Sequence, residues 1–151
     1  MGKNLYLIAG ANGSGKSTIA KMLLSQGKSL AVESTLSGKA HLAFVRKAKS
    51  LGYRITLVYS FVDSVDACIA RIAMRVRAGG HHIPDEDVRR RYLRSKHNFL
   101  EVYSPSVDDW MLYYNGDSIP VLVAAGGLHK EEKVIAPRLY NLFKEDLCPT
   151  M

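Results

Sequence analysis

Residues 10–17 read Gly-Ala-Asn-Gly-Ser-Gly-Lys-Ser, an order of glycines, a lysine and a final serine that could hold a chain of phosphates. Glycines let the backbone curl so that successive N–H groups point inward. Lys16 can then reach the β- and γ-phosphates, and the Ser17 hydroxyl can ligate Mg²⁺. The segment fills every position of the pattern G-x-x-x-x-G-K-[ST], the phosphate-binding loop or P-loop.

The segments on either side have the order that such a loop requires. Residues 5–9 form a short apolar run suited to a buried strand, and residues 18–24 have apolar positions at helical spacing. The helix would add its positive N-terminal end to the phosphate site. We therefore predict a nucleoside triphosphate site, with ATP and Mg²⁺ as ligands. The predicted binding residues are Gly10, Ala11, Asn12, Gly13, Ser14, Gly15, Lys16, Ser17 and Thr18, with Ser17 as the metal ligand.

Length and composition predict one globular unit. The chain has 151 residues, of which 47% are hydrophobic, so a single domain over residues 1–151 can bury about two-thirds of its unfolded surface. Cys68 and Cys148 match no metal-ligand spacing, and we interpret them as reduced thiols. The N-terminal apolar run is too short for a membrane span or a signal sequence. We expect a cytoplasmic protein without a membrane partner.

Strand and helix patterns alternate along the chain. Strands are predicted over residues 5–9, 29–33, 54–62, 110–114 and 120–124, and helices over 18–24, 39–51, 65–77, 85–103 and 131–142. Pro137 lies inside the last of these helices and must kink or shorten it. Short strands with interposed helices predict an α/β fold of the P-loop NTPase class, with a mostly parallel sheet of about five strands and helices on both faces.

The formal net charge of +7 is concentrated in one part of the chain. Eight of the 21 Lys and Arg residues lie between positions 71 and 96: Arg71, Arg75, Arg77, Arg89, Arg90, Arg91, Arg94 and Lys96. Such a cluster can be a solvated helix face, a nucleic-acid footprint or a clamp on phosphates. A neighbouring P-loop favours the clamp for two or three of these arginines. Aromatic residues that could stack on bases are few, so nucleic acid is not the expected partner.

Three segments taken together resemble the zeta-toxin family of P-loop kinases, in particular its small bacterial members related to UDP-N-acetylglucosamine kinases. They are the loop at residues 9–18, the sequence Glu-Ser-Thr-Leu-Ser-Gly at 33–38, and residues 71–92. The third contains Gly-Gly-His between two arginine-bearing stretches and then Arg-Arg-Tyr. The loop is generic, whereas the other two segments are more specific.

This resemblance implies a kinase that transfers the γ-phosphoryl group of ATP to a hydroxyl of a small acceptor such as a UDP-linked amino sugar. It also implies an antitoxin protein as a possible partner. By position, the catalytic residues would be Lys16, Glu33, Arg75 and Arg91, and the acceptor-binding residues Glu33, Thr35, His81 and Arg90. Phosphoryl transfer depends mainly on positioning and on cationic charge around the transferred group, which a mobile, arginine-bearing segment could supply.

Several of these residues also fit plainer interpretations. Arg90 and Arg94 fit a solvated helix face equally well, and His81 and His82 fit turn packing or solvent exposure. Glu33 could be an ordinary carboxylate at the end of a strand. That position is nevertheless where ligands bind in open α/β sheets, which favours function.

The sequence departs from the family at one point. In the family, a further strand and helices follow the loop helix and carry the aspartate assigned as the catalytic base. Here no Asp or Glu lies between Lys16 and Glu33. Glu33 could serve as base or metal partner instead, and Asp63 could replace the missing magnesium-binding carboxylate. Two alternatives therefore stay open: a catalytically impaired nucleotide-binding protein that acts through a partner, and a nucleic-acid-associated ATPase.

Overall fold

The computed structural model describes residues 3–26, 31–117 and 119–147, and these contain six strands and five α-helices. The strands are β1 (Lys3–Ala9), β2 (Ala31–Ser34), β3 (Tyr53–Phe61), β4 (Asp109–Tyr114), β5 (Val121–Gly127) and β6 (Lys130–Val134). The helices are α1 (Lys16–Ser25), α2 (Ala40–Ser50), α3 (Val65–Arg77), α4 (Asp85–Asn98) and α5 (Pro137–Glu145). A π-helical turn (Phe99–Tyr103) and a 3₁₀ turn (Ser104–Ser106) continue α4.

The six strands form one mixed sheet in the order β2-β1-β3-β4-β5-β6. β2, β1, β3 and β4 are parallel to one another, whereas β5 is antiparallel to both β4 and β6. The α/β character agrees with the sequence, but the prediction of a mostly parallel sheet of about five strands is wrong. The connections in the second half are too short for the crossover that parallel strands need, so these strands can pair only in antiparallel fashion.

The errors in the element boundaries lie mainly in the last third of the chain. Residues 130–134, predicted largely as helix, form β6, and α5 begins only at Pro137. Proline is favourable at the first helical position because an N–H group there would have no acceptor within the helix, so its loss costs no hydrogen bond. The predicted helix over 85–103 changes to π-helical geometry after Asn98. The predictions for β3, α2 and α3 are confirmed to within two residues, while residues 29–30 of the predicted second strand lie outside the described residues.

The two faces of the sheet carry separate apolar layers. On one face, alternate residues of β1, β3 and β4 pack with α2, the π-helical turn and α5. On the other face, Ile8 and Val58 pack against Ile19 and Leu23 of α1. A groove of about 820 Å³ lies beside α1 on the side of β4 to β6. None of the helices within the described residues combines the length and apolar character that a membrane crossing requires.

The four parallel strands direct their carboxyl ends to the same edge of the sheet. The P-loop follows β1, Glu33 is the next-to-last residue of β2, Asp63 follows β3 and Asn115 follows β4. Ligands in open α/β sheets bind in the crevice outside this edge. Only the parallel half of the sheet therefore positions the residues of the candidate site.

Buried polar contacts fix the last turns of α4 to the sheet and to α5. The Tyr59 hydroxyl on β3 is 2.6 Å from the Ser95 hydroxyl, and both side chains are buried. Lys96 is 1% exposed, and its Nζ donates to the Phe143 carbonyl at 3.0 Å and to Asp146 Oδ2 at 3.1 Å. Burial lowers the pKa of Lys96, and Asp146 opposes that shift. These contacts hold the carboxyl end of α4 rigidly in place.

The Tyr59–Ser95 contact provides a test of this attachment. We expect Tyr59→Phe to lower the free energy of unfolding by about 1–2 kcal/mol, because the Ser95 hydroxyl is left buried without its partner. Tyr59→Phe combined with Ser95→Ala should cost less than the sum of the single changes, since neither polar group then remains. Denaturant unfolding of the four proteins measures this coupling, and strictly additive effects would contradict the contact.

Candidate phosphate-binding site

The P-loop is fitted closely against α3 and the segment after β4. Gly13 has a φ of 81°, and a Cβ there would lie 2.5 Å from the carbonyl oxygen of Cys68. Gly15 has a φ of 88°, and a Cβ there would collide with the side-chain amide of Asn115. Both the left-handed backbone and the neighbouring atoms therefore require glycine at these positions.

Hydrogen bonds from neighbouring side chains fix the back of the loop. Ser60 Oγ donates to the Ser14 carbonyl at 2.7 Å, and Asn115 Nδ2 donates to the Gly15 carbonyl at 3.1 Å. Arg71 in turn donates to the backbone carbonyl of Asn115 at 2.6 Å. The loop conformation is thus supported from β3, from α3 and from the segment that follows β4.

Lys16 bends back over its own loop. Its Nζ donates to the carbonyl oxygens of Gly10 at 3.0 Å and of Ala11 at 3.4 Å. Burial lowers the pKa of Lys16 to about 8, Glu33 opposes this shift, and Arg75 adds to it. The ammonium group is therefore mostly protonated at pH 7, and an anion in the loop would favour its charged form.

A small cavity of about 180 Å³ brings the loop together with residues from β2 and α3. It is lined by residues 12–17, by Glu33 at the end of β2 and by Arg75 on α3. Asn12 Oδ1, on the cavity wall, and Ser14 Oγ are buried without a hydrogen-bond partner in the described structure. Buried polar atoms without partners are rare and call for an explanation. A phosphate oxygen would accept from the Ser14 hydroxyl, whereas Asn12 Oδ1 is an acceptor and needs a donor such as water.

A second cavity of about 300 Å³ adjoins the first and shares Gly15 and Arg75 with it. The remaining residues of its lining are Thr18, Arg71, Met74, Asn115 and Asp117. It therefore lies over the start of α1, between α3 and the segment that follows β4. The two cavities thus lie next to each other on either side of Gly15 and Arg75.

Of the predicted residues, those at 12–17, Glu33 and Arg75 are thus brought together in the smaller cavity, and Thr18 lines the second one. Gly10 and Ala11 line neither cavity, and the other predicted residues are not part of this lining either. Thr35 lies beyond Glu33 with its hydroxyl 3.0 Å from that of Ser37. Arg90 pairs with Asp87 on its own helix at 2.8 Å. Arg91 is half-buried on α4 and His81 is exposed between α3 and α4, and neither lines either cavity.

Asp63 also lies outside both cavities. It accepts a hydrogen bond from the Tyr114 hydroxyl, and this carboxylate is the first cause that raises the pKa of Tyr114 to about 12. Within the described residues, no group of three or more His, Cys, Asp or Glu side chains is placed to hold a metal ion. Ser17 at the start of α1 is the predicted metal ligand, and it lines the smaller cavity, which we refer to as the phosphate cavity because of the predicted ligand.

Sequence reasoning missed Arg71, Asn115 and Asp117. From the sequence alone, residues 115–117 indicate only a connection between the predicted strands at 110–114 and 120–124. Its position after a strand parallel to β3 was the available signal, because ligand sites collect at the carboxyl ends of parallel strands. Arg71 was included in the basic cluster without a role of its own.

Comparisons with known proteins are informative about the fold. No family model matches the chain. An uncharacterized protein of Haemophilus influenzae is 39% identical over 61 residues, which are 40% of this chain and 44% of that protein. This chain therefore matches less than half the length of that relative.

Solved structures of one complex share the fold over nearly the whole chain. A chain in the crystal structure of AvrRxo1-ORF1:-ORF2 with ATP has a TM-score of 0.76 and 14% identity, covering 99% of this chain and 66% of that one. The structure of the same complex with sulphate ions gives the same values, and the native complex gives a TM-score of 0.70. At this identity the likeness concerns the fold alone, and this chain spans about two-thirds of the matched chain.

The tight fit of Gly13 gives one prediction. Gly13→Ala should lower the free energy of unfolding by about 2–4 kcal/mol, because it adds a clash with the Cys68 carbonyl to the cost of a positive φ. Gly52→Ala is a matched control, since Gly52 has a φ of 89° and nothing within 4 Å of an added Cβ. Equal losses for the two variants in denaturant unfolding would show that α3 does not confine the loop.

Lys16 gives a second prediction, on pH. Because its folded pKa is about 8 against an unfolded value near 10.5, the unfolded chain binds more protons between these values. Wild-type stability from this group therefore rises with pH over that interval. Lys16→Met should be more stable than wild type by roughly 1–3 kcal/mol at pH 7. That advantage should shrink between pH 8 and 10.5; a difference independent of pH would contradict the buried charge.

Proposed function

We propose that this chain is a phosphotransferase that binds ATP with Mg²⁺ and transfers the γ-phosphoryl group to a hydroxyl of a small acceptor. The observation that carries the proposal is the cavity in which the P-loop, Lys16, Glu33 and Arg75 meet. Cationic groups, a phosphate cradle and one carboxylate are the parts that phosphoryl transfer requires. A UDP-linked amino sugar is the acceptor that the resemblance to zeta-toxin kinases suggests.

The phosphate chain would occupy the loop at the start of α1. Lys16 Nζ would leave the carbonyl oxygens of Gly10 and Ala11 and contact the β- and γ-phosphates instead. The positive end of α1 adds to the attraction for the anion. Mg²⁺ keeps several waters and takes few protein ligands, so the Ser17 hydroxyl, phosphate oxygens and water suffice to hold it.

The nucleoside would lie in the second cavity, because it adjoins the loop at Gly15. Met74 offers an apolar surface for a base, and Asp117 offers a hydrogen-bond acceptor at the other side. Arg75 belongs to both cavities, so its guanidinium can reach the phosphates while its helix borders the nucleoside.

The acceptor would approach from the side of Glu33. Its hydroxyl oxygen forms the new bond to the γ-phosphorus while the bond between that phosphorus and the β–γ bridging oxygen breaks, and ADP leaves. The Glu33 carboxylate takes the hydroxyl proton, which is general-base catalysis. Lys16 and Arg75 balance the negative charge on the transferred group.

The comparisons support this proposal without deciding it. The AvrRxo1-ORF1:-ORF2 complex, whose matched chain shares this fold, was crystallised with ATP and with sulphate ions. Both are ligands with the chemistry of a phosphate site. Because the identity is 14%, ATP binding by this chain is part of the proposal.

A second candidate is a nucleotide-binding protein that acts through a protein partner. Glu33 is the one carboxylate among the described residues that line the phosphate cavity, whereas the resemblance to kinases predicts an additional aspartate. The solved neighbours are two-component complexes, and a possible antitoxin would be the corresponding partner here. The groove beside α1 is a surface on which such a partner could bind.

The deciding experiment measures Mg–ATP binding by calorimetry and ADP release with a panel of UDP-sugars. Lys16→Ala should weaken ATP binding roughly 10- to 100-fold, because it removes a charge-assisted contact with phosphate. Lys21→Ala is the matched control, since Lys21 lies on the same helix and is exposed. Glu33→Gln should leave ATP affinity unchanged but lower kcat by roughly 10²–10⁴.

Other outcomes would choose between the alternatives. Asp63→Asn should retain turnover, because Asp63 is engaged by Tyr114 outside the cavity. Binding without turnover on any acceptor would favour the partner-binding protein. Tight binding to single-stranded nucleic acid that weakens steeply with salt would favour a nucleic-acid-associated ATPase. Unchanged ATP affinity in Lys16→Ala would refute the nucleotide site.

A further inference from the structure

Leu36 has a backbone conformation that its side chain does not favour. Among the described residues it is the one non-glycine residue with a positive φ, 54°, and it is 1% exposed. A leucine adopts the left-handed region only when its surroundings impose it. Strain of this kind is concentrated at functional sites, so the contacts that impose it identify residues with a positioning role.

The segment that contains Leu36 begins at the candidate catalytic carboxylate. Glu33 lines the phosphate cavity, and the hydroxyl groups of Thr35 and Ser37 follow at 3.0 Å from each other. We refer to residues 34–38 as the hydroxyl loop. A left-handed residue between Thr35 and Ser37 reverses the local backbone direction, which is what allows the two hydroxyl groups to meet across a single intervening residue.

Asn98 at the end of α4 and Tyr103 at the end of the π-helical turn bind carbonyl groups of the hydroxyl loop. Asn98 Nδ2 donates to the Leu36 carbonyl at 2.6 Å, and the Tyr103 hydroxyl donates to the Gly38 carbonyl at 2.9 Å. Asn98 is 8% exposed, so its bond is shielded from water. Breaking this shielded hydrogen bond would leave the Asn98 amide and the Leu36 carbonyl buried without partners, which costs free energy. The bond therefore holds the backbone of Leu36 in its left-handed conformation.

The π-helical turn explains why both residues face the same loop. Asn98 and Tyr103 are five residues apart, and in an α-helix that spacing would direct them about 140° away from each other. A π-helix bonds each residue to the fifth one along, so residues at that spacing lie on nearly the same side. The change of geometry after Asn98 thus aligns two donors with two carbonyl groups of the hydroxyl loop.

The end of α4 is itself immobilised, which suits a residue that positions others. Ser95, one turn before Asn98, is hydrogen-bonded to Tyr59 in the core, and Lys96 is bonded to α5. Because Lys96 attaches the end of α4 to α5 independently of Ser95, this end stays in place when the Ser95 contact alone is removed.

We propose that Asn98 is a positioning residue of the acceptor site: by holding the Leu36 carbonyl it fixes the Thr35 and Ser37 hydroxyl groups in the loop that follows Glu33, and a polyhydroxylated acceptor binds to that loop. This inference rests on the proposed function. The acceptor contacts the hydroxyl loop, not Asn98, so removal of the amide donor weakens acceptor use while leaving the P-loop intact.

The test uses Asn98→Asp, which keeps the size of the side chain but replaces the donor by an oxygen that repels the Leu36 carbonyl. Tyr103→Phe is the milder variant, losing only the bond to Gly38. Ser95→Ala is the matched control, because it removes a buried hydrogen bond from the same part of α4 without touching the hydroxyl loop. Hydrogen exchange of amides 35–38, Mg–ATP affinity by calorimetry, and kcat and KM with UDP-N-acetylglucosamine are measured for each protein.

We expect at least tenfold faster exchange of amides 35–38 in Asn98→Asp, with a smaller increase in Tyr103→Phe and none in Ser95→Ala. Mg–ATP affinity should stay within twofold of wild type in all three. The KM for UDP-N-acetylglucosamine should rise at least tenfold in Asn98→Asp, because the acceptor must then order the loop itself.

Two results would overturn the proposal: a hydroxyl loop as protected in Asn98→Asp as in wild type, or a loosened loop with unchanged KM. Absence of acceptor-dependent ADP release by wild type with every UDP-sugar tested would also remove the acceptor role and leave Asn98 structural. Failure of the nucleotide site is recognised separately, since it would appear as equal ATP affinity in wild type and Lys16→Ala.

Discussion

The hydrogen bond from Asn115 to the Gly15 carbonyl joins the two ends of the candidate site. It connects the turn after β4 to the loop after β1, although one hundred residues separate them in the chain. Arg71 on α3 completes the link by binding the Asn115 carbonyl. The side chain of Asn115 leaves no room for a Cβ at Gly15. The Cys68 carbonyl of α3 leaves none at Gly13. The P-loop can therefore adopt its native conformation only when α3 and the segment after β4 are also in their native positions.

The sequence predicted the parts of the site that are contiguous. The P-loop follows from its glycine and lysine spacing, and Glu33 follows from its place at the end of a strand. Asn115 and Arg71 could not be assigned because their roles depend on which strand lies beside which. β6 was mistaken for helix for a related reason: Lys130–Val134 is exposed throughout and lacks the alternation of a half-buried strand, so only its pairing with β5 defines it.

Lys96, which is buried, and Lys16, which is partly buried, have different kinds of partners. Lys96 is surrounded by aromatic rings and bonded to Asp146 and a carbonyl, so its charge is used within the fold. Within the described residues the hydrogen bonds of the Lys16 ammonium group go to backbone carbonyls, and burial lowers its pKa further than the charge of Glu33 raises it. The first stabilises the packing of α4 against α5. The second has a lowered pKa and no ion pair of its own among the described contacts, a combination that is enriched at functional sites.

The mixed topology of the sheet also bears on how the chain folds. β4, β5 and β6 follow one another through short turns, so their antiparallel pairs close small loops at little entropic cost. The β1–β3 and β3–β4 pairs join segments about 50 residues apart in sequence, each with intervening helices. Contacts of low sequence separation form faster than distant ones. The antiparallel pairs of β4, β5 and β6 can thus form early, and β3 and then β1 can pair with them afterwards. The P-loop follows β1 and therefore reaches its final conformation late.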